Sequence, residues 1–241
     1  MDALPTNTGR NLNPAIAAAE ALQLIGAFSS PALMLRISPR FKAFMDENGF
    51  HGAYGSRIRH QGLHVVSKLR QDDGSRQAVI TLWDPVLDNQ LDRHDYPCTI
   101  ALQYQIEDGK LCANTIMRSN DAWLGLPYDM FQFTQLQMTL ARTLGLAYGW
   151  YRHTALSMHI YADDVPLVDD VVVAHQLRGV TFPTSEHVSF QPHGIGLEEM
   201  PLSETMKRAR RLSIGSPLTA PTLSESWYAR VLTSFVTKEP E

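Results

Sequence analysis

The chain is poor in charge and almost without cysteine. Of its 241 residues, 19% are charged and the net charge is −4, so no broad basic surface argues for a nucleic-acid partner. The densest basic run, Lys207-Arg208-Ala209-Arg210-Arg211, is short and reads as a solvated helix face. Two cysteines, Cys98 and Cys112, show no metal-type spacing. No metal is therefore expected, and a reduced, cytoplasmic compartment fits best. No apolar run approaches the roughly 20 residues that span a bilayer. Met1-Asp2-Ala3-Leu4 has neither the basic start nor the apolar core of a signal peptide, so no membrane partner is expected. Internal repeats and a clear linker are also missing. With 44% hydrophobic residues to fill one core, the reading is a single α+β domain over 1–241, least patterned across 165–241.

What is present begins with Asn13-Pro14, a helix N-cap followed by proline at the first helical position. The Ala- and Leu-rich run after it predicts a helix from Ala15 to Ile25, closed by Gly26. Ile16, Glu20 and Leu24 share one face of that helix. A carboxylate there is either an edge residue reaching water or a buried group with a task. Arg76 to Trp83 is β-rich. Pro97 to Ile106 and Lys110 to Met117 predict a hairpin turning at Asp108-Gly109. Asp129 to Leu144 is an amphipathic helix with Phe133, Leu136, Leu140 and Leu144 on its core stripe, ended by Gly145. Leu156 to Tyr161 alternates, placing Ser157, His159 and Tyr161 on one side.

Three groups carry possible chemistry. Cys98 follows Pro97 at a strand start and is either a thiolate nucleophile or a packing cysteine. Cys112 has no such surroundings and is read as packing. Arg118-Ser119-Asn120-Asp121 is either a binding cluster or a strand end with a capped turn. Leu124-Gly125-Leu126-Pro127-Tyr128-Asp129 then leads into the helix, where Asp129 is either an N-cap or a recognition group.

Order and spacing of these motifs resemble the thymidylate synthase family over residues 13–164. The resemblance implies a mixed β-sheet packed by helices, with a sheet face forming a homodimer interface. It implies that Cys98 adds to C6 of a pyrimidine nucleotide and that Glu20 orders water and moves protons at the base. Arg118 and Ser119 would bind the phosphate, and Asp121 the base region. His159 and Tyr161 would hold the sugar 3′-hydroxyl, while Arg76 would reach the phosphate of the partner subunit. Arg118 would also lower the Cys98 pKa by proximity. Glu47-Asn48-Gly49 and Tyr54-Gly55 resemble the folate side, and Phe41 stands where the family has a tryptophan near the folate. The co-substrate implied is 5,10-methylenetetrahydrofolate.

Three departures bear on substrate. Asp129 stands where the family has an asparagine that reads uracil. An ionised aspartate only accepts hydrogen bonds, which suits the 4-amino group of cytosine and repels uracil O4. Cytidylate hydroxymethylases of this family carry that change. Thr99 replaces a histidine, and Gln77 replaces a second phosphate arginine, leaving Arg10 and Arg57 as spare cations. The family's closing C-terminal tail is not recognisable from Thr233 to Glu241. The expected activity is 5-hydroxymethylation of a cytidine monophosphate, foremost dCMP, in a bacterial or phage-infected cell. Methylation of dCMP or dUMP through the same intermediate, and a catalytically silent nucleotide-binding relative, are the alternatives. Ribose and deoxyribose are not distinguished.

Overall fold

The structure, a computed structural model, describes residues 10, 12–47, 49–91, 93–177, 200–216, 218, 221 and 223–236. Its helices are α1 (Pro14–Gly26), α2 (Pro31–Ile37), α3 (Tyr54–Arg57), α4 (Gln61–Gln71), α5 (Pro85–Asp88), α6 (Leu126–Leu144), α7 (Val165–Leu177), α8 (Leu202–Ser213) and α9 (Leu223–Val236). Its strands are β1 (Val79–Thr81), β2 (Thr99–Glu107), β3 (Lys110–Met117), β4 (Asn120–Asp121), β5 (Ala147–Ala155) and β6 (Met158–His159).

Helix α1 starts as its sequence dictates. The Asn13 side chain accepts from the Ala15 N–H at 2.9 Å, and Pro14 occupies a position needing no donor. Its small residues let neighbours approach on all sides. Ala17, Ala18, Ala21, Leu22, Leu24 and Ile25 are buried against α6, α8, α9, α2 and α3. Each fully buried leucine or isoleucine there contributes about 1.5–3 kcal/mol. Gly55 permits the closest of these approaches: a Cβ there would lie 1.9 Å from the Phe28 carbonyl oxygen. That clearance brings Tyr54 alongside α1.

One sheet runs in the order β1-β2-β3-β5, antiparallel except for the β3–β5 pair. The β2–β3 hairpin turns at Asp108 and Gly109, both in the left-handed region (φ 50° and 70°), as expected from Asp-Gly. Carried back unbroken from this turn, the register would set Cys98 opposite Ser119. A bulge between Thr99 and Ala101 moves Cys98 to face Arg118 instead, whose N–H donates to the Cys98 carbonyl at 2.8 Å. On the far face of the sheet, paired positions carry Gln103, Asn114 and Arg152, then Ala101, Ile116 and Thr154. The near face, with Ile80, Leu102, Tyr104, Leu111 and Met117, joins one core that extends to Tyr228 and Leu232.

Several expectations change. Residues 147–155 form β5, which the sequence did not announce, while only Met158–His159 of the expected 156–161 strand is paired. Much of the region after Asp163 is helical, in α7, α8 and α9. The basic run on α8 is only partly solvated: Arg208 makes a two-pronged pair with buried Glu225, both contacts at 2.7 Å. Arg210 donates to the Gly26 and Ala27 carbonyls at 2.7 and 3.0 Å, capping the end of α1. Arg57 is not a spare cation. It binds Asp88 through both terminal nitrogens at 2.6 and 2.9 Å and also reaches the Leu82 and His51 carbonyls.

Asp88 is fully buried and also accepts from the Asp84 N–H and contacts His51. Burial alone would raise its carboxyl pKa, but Arg57 and the other partners outweigh it and hold the carboxyl below the usual range. Removing one member of such a pair leaves the other charge buried without compensation. Asp88→Ala should therefore destabilise the fold by about 3–5 kcal/mol in chemical denaturation.

Candidate active site

A cavity of about 320 Å³ opens between α1, the first turn of α6 and the segment before β2. Glu20, Phe41, Tyr54, Cys98 and Asp129 all line it, so one space brings together five residues singled out from sequence. Phe44, Phe50 and Tyr96 add aromatic surface, and Asp95, Gln23 and Gln132 add polar groups.

Cys98 lies just before β2, where the bulge aims it at Arg118. Its Sγ is 3.9 Å from Arg118 Nη2. Arg118 is held in turn by the Pro97 and Tyr96 carbonyls and lies over the Trp83 ring, 5.6 Å from its centroid. The thiol is nonetheless pushed up: burial raises it, the Arg118 charge opposes, and the Asp129 and Asp95 charges add to the rise. The expected lowering by Arg118 is thus real but outweighed. Cys112 is buried, as a packing residue should be.

Glu20 projects from the buried helix into the cavity. Its carboxyl is pushed up to about 8, first by burial and then by the charge of Asp129. Asp129 is not a helix cap. The helix begins at Leu126 after Gly125, so Asp129 lies one turn inside it. Burial raises its carboxyl to about 7, although hydrogen bonds from Asn120 at 2.8 Å and Gln132 at 3.1 Å favour the ionised form. The neighbouring Tyr128 hydroxyl accepts from the Asn13 N–H at 2.8 Å and ties α6 to the start of α1. Tyr54 stacks on Phe133, and burial followed by the Asp129 charge raises its phenol pKa.

The remaining candidates lie outside this cavity lining. Ser119 Oγ is 3.4 Å from His159 Nδ1, and the His159 and Tyr161 rings meet edge to face at 5.1 Å. Asp121 pairs with His159 across the parallel β4–β6 ladder. Its Oδ1 accepts from the Trp123 and Leu124 N–H groups, so the capped-turn reading holds for that oxygen. Its Oδ2 is buried without a partner among the described residues. Arg10 lies over Trp123 and Tyr128, 5.2 and 5.5 Å from their centroids. Arg76 is exposed ahead of β1, beside exposed Gln77. Gly49 forms a tight bridge with Asp46, the residue before Glu47, while Asn48 and residues 237–241 of the tail fall outside the described residues.

Sequence reasoning passed over Asp95, Asn120, Gln132 and His153. Asn120 lies inside the motif quoted for Arg118, Ser119 and Asp121, and Asp95 stands three residues before Cys98. Gln132 stands one turn beyond Asp129, a spacing that could have found it. His153 Nε2 is 3.0 Å from Asn120 Oδ1, on a strand that the sequence pattern concealed.

A carboxyl titrating near 8 in the fold and near 4.5 when unfolded makes the fold bind an extra proton between those values. That contribution to stability is lost as pH rises through the window. Glu20→Gln should therefore be more stable than the parent at pH 8, by more than about 1 kcal/mol. The gap should shrink towards zero below about pH 4.5, as followed by thermal melting across pH.

Comparison with known proteins identifies the family and the fold. Residues 4–189 match the family model described as thymidylate synthase. The chain is 30% identical over 198 residues to a deoxyuridylate hydroxymethyltransferase of Bacillus phage SP01, covering 74% of this chain and 51% of that protein. It is 28% identical over 209 residues to a deoxyuridylate hydroxymethyltransferase of Pseudomonas phage M6, covering 81% and 57%. The chain thus spans about half the length of the curated relatives it matches. Among solved structures, the thermostable thymidylate synthase A of Bacillus subtilis matches with a TM-score of 0.59 at 24% identity, over 70% of this chain and 65% of that one. The backbone is that of a thymidylate synthase fold, and with more than half its length matched by the family model the chain belongs to the thymidylate synthase family.

Proposed function

We propose that this chain transfers a one-carbon unit to C5 of a pyrimidine nucleoside monophosphate, with dCMP as the preferred substrate and a 5-hydroxymethyl group as the product. The observation that carries this reading is Asp129, set in the cavity wall with Glu20 and Cys98. In the ionised form it offers acceptors only, which suits a 4-amino group and disfavours a 4-oxo group. Cys98 is the nucleophile for C6.

5,10-Methylenetetrahydrofolate supplies the one-carbon unit when bound. The residues present fit its flat, hydrogen-bonding ring system: Phe41, Phe44, Phe50 and Tyr54 offer aromatic surface, and Asp95 offers an acceptor. Glu20, protonated at neutral pH, can give and recover a proton at the base. The carboxyl groups of Glu20, Asp95 and Asp129 give the cavity wall hydrogen-bonding partners for a water molecule. That supports hydroxymethylation, which ends in water addition, over methylation, which ends in hydride transfer from a site kept dry. Arg118 and Ser119 would hold the phosphate, Asp121 the base edge, and His159 with Tyr161 the sugar. Arg76 would reach the phosphate site of a partner subunit across a twofold interface formed by the far face of the sheet, with Arg10 as a further cation.

A second reading is 5-hydroxymethylation of dUMP. The names of the two phage relatives favour it, as does the raised carboxyl of Asp129, which when protonated can donate to uracil O4. Incubation with methylenetetrahydrofolate and each of dCMP, CMP, dUMP and UMP, with products weighed by mass spectrometry, separates these readings and the sugar preference. A hydroxymethyl product from dCMP is expected, lost in Cys98→Ser with nucleotide binding retained. Absence of any product from the parent would identify a silent nucleotide-binding relative. Asp129→Asn should move preference towards uracil by about tenfold or more, since a charge-assisted hydrogen bond contributes about 1.5–3 kcal/mol. Relative kcat/KM values for dCMP and dUMP check this.

A further inference from the structure

Behind Asp129 runs a chain of side-chain hydrogen bonds leading away from the cavity. Asn120 Nδ2 is 2.8 Å from Asp129 Oδ2. Asn120 Oδ1 is 3.0 Å from His153 Nε2, and His153 Nδ1 is 2.8 Å from the Tyr151 hydroxyl. Asn120 is 2% exposed and does not line the cavity, so it meets Asp129 from the protein side. The backbone fixes where it stands: its N–H donates to the Ser157 carbonyl at 2.9 Å, within the β4–β6 ladder. Tyr151 and His153 come from alternate positions of β5 and therefore share one side of that strand.

The direction of this chain follows atom by atom. An ionised Asp129 can only accept, so the amino end of Asn120 must face it. The amide oxygen then faces His153, and Nε2 must carry a hydrogen to donate to it. That leaves Nδ1 as an acceptor for the Tyr151 hydroxyl. Burial favours the neutral imidazole that this arrangement requires. Every link thus points towards Asp129. Gln132, the other donor to Asp129, makes no second side-chain hydrogen bond among the described residues, so its amide can turn over where that of Asn120 cannot.

This matters because a neutral carboxyl discriminates poorly. Its hydroxyl and carbonyl match the N3 and 4-amino group of cytosine, and equally the O4 and N3–H of uracil. Only the ionised form rejects uracil O4. Base selectivity then depends on which groups hold Asp129 ionised when a nucleotide is bound. We propose that Asn120, locked in orientation by His153 and Tyr151, is a specificity-determining positioning residue that keeps Asp129 an acceptor and so excludes 4-oxopyrimidine nucleotides. The proposal deepens, and rests on, the reading of Asp129 as the group that selects cytosine.

Binding of dCMP and dUMP to the full chain, measured by titration calorimetry without folate, tests it. In Asn120→Ala and in His153→Leu, dUMP affinity should rise while dCMP affinity holds or falls. The dCMP:dUMP ratio should drop by about tenfold. His153→Gln places an amide N–H near the former Nε2 and should keep the parental ratio. A gain in dUMP binding also shows that the variant is folded, since structural damage weakens both ligands. A parent that binds both nucleotides equally defeats the assignment of Asp129 and the relay with it. A parent that prefers dCMP, combined with an unchanged ratio in Asn120→Ala or equal losses of both nucleotides, overturns the relay alone.

Discussion

A helix buried on every side must dispose of any charge it carries. Helix α1 is wrapped by α2, α3, α6, α8 and α9, and its small residues allow that contact all round. Its one carboxylate, Glu20, finds room only in the cavity, where it meets Asp129 from the first turn of α6. Two desolvated carboxyls so close together work against folding. The packing of α1 on α6 therefore sets the chemistry of the cavity: it raises both carboxyls into the neutral range and, through Asp129, helps to hold the Cys98 thiol protonated. The Tyr128–Asn13 hydrogen bond fastens the same two helices at one end.

The sheet supplies the other half of the arrangement. Its hairpin turn sets a register, and the bulge at Thr99 and Ala101 changes that register by one residue at the open end. The change places Arg118 rather than Ser119 opposite Cys98 and leaves Ser119 to meet His159. The cavity chemistry and the Ser119–His159 contact thus rest on a local irregularity in an otherwise regular ladder.

Much of this was legible because local signals agreed. Asn13-Pro14, Asp108-Gly109 and Gly145 each marked an element boundary with its own stereochemistry, and the structure places those boundaries where expected. The candidate site could be read through motif order. What was hidden depended on partners far along the chain. β5 carries Tyr148, Trp150, Arg152 and His153 in a mix that shows no clean alternation, because one of its faces meets α6 and its other neighbour is β3. Arg57 looked like an available cation because nothing near it in sequence reveals Asp88. Arg208 and Arg210 looked solvated because Glu225 and the end of α1 lie beyond any local window. The sign of the Cys98 shift was also invisible, since a nearby arginine is apparent in a motif while the extent of burial is not.

The Arg210 cap carries a consequence for the order of assembly. It joins α8 to the Gly26 carbonyl across 184 positions of chain. During synthesis, α1 leaves the ribosome well before α8, and the part of its alanine and leucine surface that α8 covers stays bare until then. Contacts this remote in sequence close slowly. For that interval the segment carrying Glu20 can pack on α2, α3 and α6 but leaves its α8 side bare, the kind of surface that chaperones hold. The α8 side of α1, and the Gly26 carbonyl that Arg210 caps, are covered only after the ribosome has released that later segment.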